Sequence, residues 1–277
     1  MTASDIPPPL PPDRAGVVAH FTAPPARATS LGAVILAMLS LEVGALLRPK
    51  LWLKLALSAL ALVVVTRLSV GRATPEQFER WMIGVVALKF VPLMCLTVGG
   101  GILRNPIRNF TIEYLWTRSV RKPHLVIAAW VAAVVIVTLQ AFLATGVVYA
   151  PWGVLGVKDL WPTLPPMLGG EFVMILAFTA LSLAFGVFSG KYMVMGLFYG
   201  LVVESGVSQI PTNLNQIAVT SHANVLLDYA RQSAESPGIG ATVQAGASIL
   251  TIAALGLAVA CAVFTYKQYS IGAEKET

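Results

Sequence analysis

From about residue 30 onward the chain alternates long apolar runs with short polar breaks. Each run approaches the roughly 20 residues that a helix needs to cross a bilayer. Six runs read as spans, at about 51–69, 81–102, 124–147, 169–188, 192–209 and 243–265. Residues 31–47 are also apolar, but they carry Glu42 and stop at Arg48-Pro49-Lys50. The pattern there predicts an interfacial elbow helix that turns the chain into the membrane, with a true span as the alternative. The turn Ser189-Gly190-Lys191 separates the fourth and fifth spans. Segment 210–242 is polar but holds Ile217, Val219, Val225, Leu226, Leu227 and Tyr229, which predicts a helix on the outer surface. The prolines of residues 1–29, among them Pro7-Pro8-Pro9 and Pro24-Pro25, predict an extended, disordered tail. That tail lacks the basic start, apolar core and small-residue cleavage site of a signal peptide. Residues 30–266 then form one transmembrane domain, and 267–277 a short charged tail.

One polar stretch interrupts the middle of this pattern, from Asn109 to Pro123. Asn109 is a good helix cap, because its side chain can accept from free first-turn amides. Glu113 then lies toward the positive end of the helix dipole and Arg118 toward the negative end. Ile112, Leu115, Trp116 and Val120 recur at helical spacing and make one apolar stripe. Pro123 cannot continue that helix but can open the next. The stretch reads as a short amphipathic helix at the membrane surface; a solvated loop is the plainer alternative.

Composition sharpens the class. The 277 residues are 56% hydrophobic and only 12% charged, with a mean hydropathy of +0.76. Soluble domains carry about twice that charge fraction. An all-α integral membrane protein follows. The net charge of +6 does not point to nucleic acid, since the basic residues sit at the ends of apolar runs. Cys95 and Cys261 fall inside apolar runs and read as buried thiols, and the three histidines are far apart. Neither a metal-ligand spacing nor a catalytic constellation is visible, so no enzyme, cofactor or metal site is expected in the chain.

Six spans place both termini on one side of the membrane. With the termini in the cytoplasm, Arg104, Arg108, Arg118, Arg121, Lys122, Lys191 and Lys267 lie inside, while only Arg67, Arg72, Arg80, Lys158 and Arg231 lie outside. Basic residues concentrate on the cytoplasmic side of membrane proteins, so this orientation is expected. It puts 109–123 in the cytoplasm.

The run Thr111-Ile112-Glu113-Tyr114-Leu115-Trp116-Thr117-Arg118-Ser119-Val120 resembles the permease subunits of type-2 ABC exporters, the ABC-2 family. That family tends to carry a Gly-Thr-Ile-Glu-Tyr-Leu-Leu-Thr-Arg-Pro-Val-like run after its second span. Phe110 stands here for the usual glycine and Ser119 for the usual proline. A second likeness is Phe198-Tyr199-Gly200-Leu201-Val202-Val203-Glu204-Ser205-Gly206, similar to the family's fifth-span pattern of aromatic, apolar residues, Glu and Gly. The resemblance implies a cytoplasmic coupling helix, with Ile112, Leu115 and Trp116 in a groove of a separate ATPase subunit and Glu113 and Arg118 at its rim. It implies two ATPase copies that bind ATP and Mg, and a second permease chain, the same or similar. It also implies a bacterial cytoplasmic (inner) membrane and export of a substrate the sequence does not identify. The chain shows no phosphate-binding loop of its own.

Rival readings are a stand-alone channel or secondary transporter, which should carry charges in several spans, and an intramembrane enzyme. Apart from Lys54 and Arg67 near the two ends of the first span, the charges within the spans are Lys89, Glu171 and Glu204. A charge at that depth costs at least about 2.5–3.5 kcal/mol on insertion scales, so each should face protein or water. Counting residues puts Lys89 roughly 12 Å below Trp81, and Glu204 roughly 9 Å below Ile210. A Lys89–Glu204 ion pair is geometrically possible, and it reads as a structural salt bridge rather than a substrate contact. The Gly99-Gly100-Gly101 run reads as a point of close helix packing.

Overall fold

The computed structural model describes residues 30–46, 64, 74–108, 121–154, 162–204, 206, 217–230 and 237–267. All regular elements among them are helical. The chain opens with α1 (Leu31–Leu46). A long rod follows, made of α2 (Pro75–Trp81), a π-helical stretch Met82–Phe90 and α3 (Val91–Arg108). Next come α4 (Lys122–Val154) and α5 (Leu164–Phe188). Then α6 (Tyr192–Tyr199) runs on into a second π-helical stretch, Gly200–Glu204. Helices α7 (Val219–Ala230) and α8 (Ile239–Tyr266) complete the order.

Among the described residues, four stretches are long and apolar enough to cross a membrane: Gln77–Pro106, Lys122–Ala150, Leu164–Phe188 and Ile239–Tyr266. They coincide with the second, third, fourth and sixth expected spans, and each reaches past the bounds read from sequence. Local chemistry explains the extensions. Thr74 caps α2: its hydroxyl accepts from the Gln77 amide at 3.4 Å, and the Gln77 side chain accepts from the Thr74 amide at 3.3 Å. With Pro75 at the first helical position, this reciprocal box starts the helix well before Trp81. Pro123 sits at the second position of α4, and Pro165 and Pro166 in the first turn of α5, where a missing amide proton costs little. The fifth expected span is represented by the shorter apolar helix Tyr192–Glu204. The first expected span, Val64 excepted, lies outside the described residues, as do residues 109–120 with Ile112, Glu113, Leu115, Trp116 and Arg118.

The core is organised around α5, which packs most extensively against α8 and α3. On α8 the buried positions Ile249, Ala253, Gly256, Ala260 and Phe264 recur at helical spacing. Val243, Leu250, Leu255 and Val259 on its other faces are exposed. A helix apolar on all sides, with small residues at its contact face, suits a lipid surround. The crossing of α3 and α5 is closer still. A Cβ at Gly186 would overlap the backbone of Gly100, and one at Gly99 would press on the Thr179 carbonyl and Ser182. A Cβ at Gly100 would also overlap the ring of Tyr192 at the start of α6. The glycine run does mark close packing.

The helices alternate in direction, as side-chain contacts at the two ends show. At one end Phe78 of α2 meets Tyr149 of α4 edge to face, with ring centroids 5.3 Å apart. The Tyr149 hydroxyl there donates to the Met167 sulfur of α5 at 3.1 Å. At the other end the Lys122 ammonium donates to the Thr265 carbonyl at 3.3 Å, and that of Lys267 to the Phe188 carbonyl at 2.7 Å. Both lysines sit on the free carbonyls of helix C-termini, where a cation is favoured. This end also carries Arg104, Arg121 and Lys191, so it is the basic end of the bundle. Helix α1 packs there: Val34 and Met38 are buried in one cluster with Ile102, Leu103, Leu125 and Val126.

Candidate functional site

Two departures from α-helical geometry face each other across one cavity. The first is Met82–Phe90, where the Val91 amide bonds to the Val86 carbonyl, five residues back. Pro92 supplies a reason. It has no amide proton for the Leu88 carbonyl, and its ring crowds that carbonyl, which widens the preceding turn. The second is Gly200–Glu204. Between them lies a cavity of about 530 Å³, closed on its other sides by α5 and α7. Small-molecule sites commonly measure roughly 300–1,000 Å³.

Glu204 is the most connected side chain on its wall. It is 9% exposed. The Tyr199 hydroxyl donates to its Oε1 at 2.6 Å, and the Val219 amide to the same oxygen at 3.1 Å. The Thr220 amide and hydroxyl donate to Oε2 at 2.9 and 2.6 Å. Val219 and Thr220 open α7, so a carboxylate from another helix caps its N-terminus and meets the positive end of its dipole. Tyr199 and Glu204 are five residues apart, a spacing that points to different faces of an α-helix. The π-helical turn, with its five-residue period, brings them together. Tyr199 is held in turn against Phe185, with ring centroids 5.7 Å apart.

Lys89 and Glu204 line this same cavity. The described donors to the Glu204 carboxylate are Tyr199, Val219 and Thr220, and the Lys89 side chain is exposed on the wall. The polarity of the lining differs between its sides. Lys89, Glu204, Thr220 and Asn224 line it on the side of α7, while Leu96 of α3 and Phe178, Leu181, Ser182 and Phe185 of α5 line it elsewhere.

A second polar contact is buried between α4 and α5. Glu171 and Thr145 are each 0% exposed, and the Thr145 hydroxyl lies 2.9 and 3.1 Å from the two Glu171 oxygens. Sequence reasoning had placed Glu171 at the start of a span and gave Thr145 no part. A threonine in an apolar run carries no signal of its partner, because its hydroxyl is usually content with a carbonyl on its own helix. Thr179 and Thr251 behave that way here. The Trp130 indole donates to the Leu176 carbonyl at 3.3 Å and ties the same two helices together. Both cysteines are free thiols, Cys95 buried and Cys261 half-buried. Among the described residues no group of histidine, cysteine and carboxylate side chains could hold a metal ion.

Comparison with protein-family models, with curated proteins and with solved structures finds no match in any of the three.

Proposed function

We propose that the chain is the membrane-spanning permease subunit of an ATP-driven exporter of the ABC-2 type, with both termini in the cytoplasm of a bacterial cell. Two such chains, or this chain and a similar one, would form the pathway, and two separate ATPase subunits would bind ATP and Mg. The observation that carries this reading is the Thr111–Val120 run, bracketed by the end of α3 at Arg108 and the start of α4 at Lys122. Those two helix ends belong to the basic end of the bundle, where positively charged residues favour the cytoplasmic side. A helix formed by the run would stand where an ATPase can reach it.

Two further features support the six-span arrangement. Helix α1 packs at the basic end, as an elbow would. Helix α6 leaves its turn with α5 at the same end and heads toward α7, as a fifth span would. In operation, ATP would close the ATPase pair, the coupling helices would follow, and the bundle would switch between inward and outward states. Such switching is a bistable element biased by nucleotide.

The test is whether a neighbouring reading frame encodes an ATPase with a phosphate-binding loop, and whether that candidate co-purifies with this chain and is stimulated in the reconstituted complex. Trp116→Ala should weaken the complex by about 2 kcal/mol or more, since buried aromatic anchors dominate such contacts. Glu113→Lys should displace a basic rim on the partner. A Trp116→Ala, Glu113→Lys double variant that binds and stimulates the ATPase normally removes the stretch from the mechanism and the permease reading with it.

A further inference from the structure

We propose that the cavity between α3, α5 and α6 is a binding site for a single-chain anionic amphiphile drawn from the membrane, its head beside Lys89, Thr220 and Asn224 and its tail among Leu96, Phe178, Leu181 and Phe185. The inference rests on the shape and charge of the cavity and does not require the ATPase reading.

The first argument is polarity. The lining carries charged and hydrogen-bonding groups on the side of α7, and mainly aromatic and aliphatic groups, with Ser182, along α3 and α5. The wall runs along the rod from Gly84 to Leu96. A uniformly apolar solute would leave the polar end unsatisfied, and a uniformly polar one would sit against aromatic rings.

Charge is the second argument. The Glu204 carboxylate already receives a phenol, a hydroxyl and two backbone amides. The Lys89 ammonium, exposed on the same wall, is the cation offered to an occupant. Its depth of about 12 Å below Trp81 makes a bare ammonium costly there. An anionic head beside it would offset that cost.

Access is the third. Leu93, Leu197 and Leu201 line the cavity and are 44%, 50% and 71% exposed. Side chains that are apolar and open at this depth face lipid, so the mouth opens sideways into the bilayer. The cavity is also open by design of its walls. Gly84 and Gly200, one in each π-helical stretch, line it, and a Cβ at either would meet nothing within 4 Å. Every other residue type would reduce this space.

The experiment uses the purified full chain in detergent with an environment-sensitive fluorescent fatty acid, displaced by hexadecanoate or by the neutral hexadecanol. Wild-type protein should release the probe to hexadecanoate at about tenfold lower concentration than to hexadecanol, the size expected for one charge contact. Lys89→Met should abolish that preference and Lys89→Arg should keep it. Gly200→Leu and Gly84→Leu, which add side chains into empty space, should weaken binding of both competitors. Melting of each variant is followed alongside, so that loss of the fold is separated from loss of the site. A preference for hexadecanoate that survives in Lys89→Met, equal binding of acid and alcohol by the wild type, or unchanged affinity in both glycine variants each overturns the proposal.

Discussion

Glu204 illustrates how a carboxyl group is accommodated when nearly buried. A buried polar group is costly unless its hydrogen bonds are made. Here four donors converge on its two oxygens, two of them the free amides that α7 would otherwise leave unpaired. The same bonds therefore satisfy the side chain and anchor the helix. Glu204→Gln replaces one acceptor oxygen with an amide group that confronts the Val219 or Thr220 donors. We expect a loss of about 1–3 kcal/mol in the local anchoring of α7, the cost of leaving a buried donor unpaired. Amide hydrogen exchange at Val219 and Thr220 should speed up by about tenfold or more, given that 1.4 kcal/mol is a factor of ten. Exchange at wild-type rates would mean that the cap contributes nothing. The five-residue step from Tyr199 to Glu204 hid this arrangement from sequence reasoning, which assumed regular α-helix throughout.

At the scale of elements, close packing and open space are both set by glycines, and the two kinds respond differently to substitution. Gly100 lies where α3 meets α5 and α6; a methyl there overlaps the Tyr192 ring. Gly146 lies in the interior of α4, where a methyl meets nothing within 4 Å. Gly100→Ala should lower the melting temperature, because the overlap forces helices apart in a tightly packed crossing and overpacking costs about 1–3 kcal/mol. Gly146→Ala should be neutral or stabilising by up to about 1 kcal/mol, the helix preference of alanine over glycine. Thermal unfolding of the two variants in the same detergent checks the contrast, and equal melting temperatures would contradict the crossing. Sequence marked the Gly99–Gly101 run as a contact point but could not name the partner. Gly186 lies far along the chain and meets Gly100 because α4 returns the chain and α5 then runs parallel to α3.

For the whole molecule the question is which end of the bundle faces which compartment. The basic end holds Arg104, Arg121, Lys122, Lys191 and Lys267, and α7 lies toward the other. In a variant with Cys95 and Cys261 replaced by alanine, a single cysteine at 229 should react with an impermeant maleimide added to intact cells. A single cysteine at 191 should react only after the membrane is permeabilised. Tyr229 is 41% exposed, which makes it a suitable reporter. The opposite labelling pattern would invert the bundle and take the 109–120 stretch out of the cytoplasm.

The sequence by itself determined the class of protein and most of its spans. An apolar run near 20 residues long, bounded by Arg, Lys, Pro and aromatic residues, has few alternatives to a membrane helix, because backbone groups in lipid must bond within their own segment. The helix start at Pro123 was legible too, whereas those at Thr74-Pro75 and Pro165-Pro166 were missed, because the apolar pattern drew attention to later positions. Lys89 and Glu204 stood out for the same energetic reason, as charges in an apolar setting. What each of them meets was decided only by the tertiary structure. A π-helical turn rotates Glu204 toward Tyr199, the start of α7 arrives from beyond residue 210 to be capped, and Pro92 widens the rod so that Lys89 faces the same cavity. Pairings across helices depend on crossing geometry and on local changes of helical period, and a hydrophobic pattern, which records only that a position is apolar, carries neither.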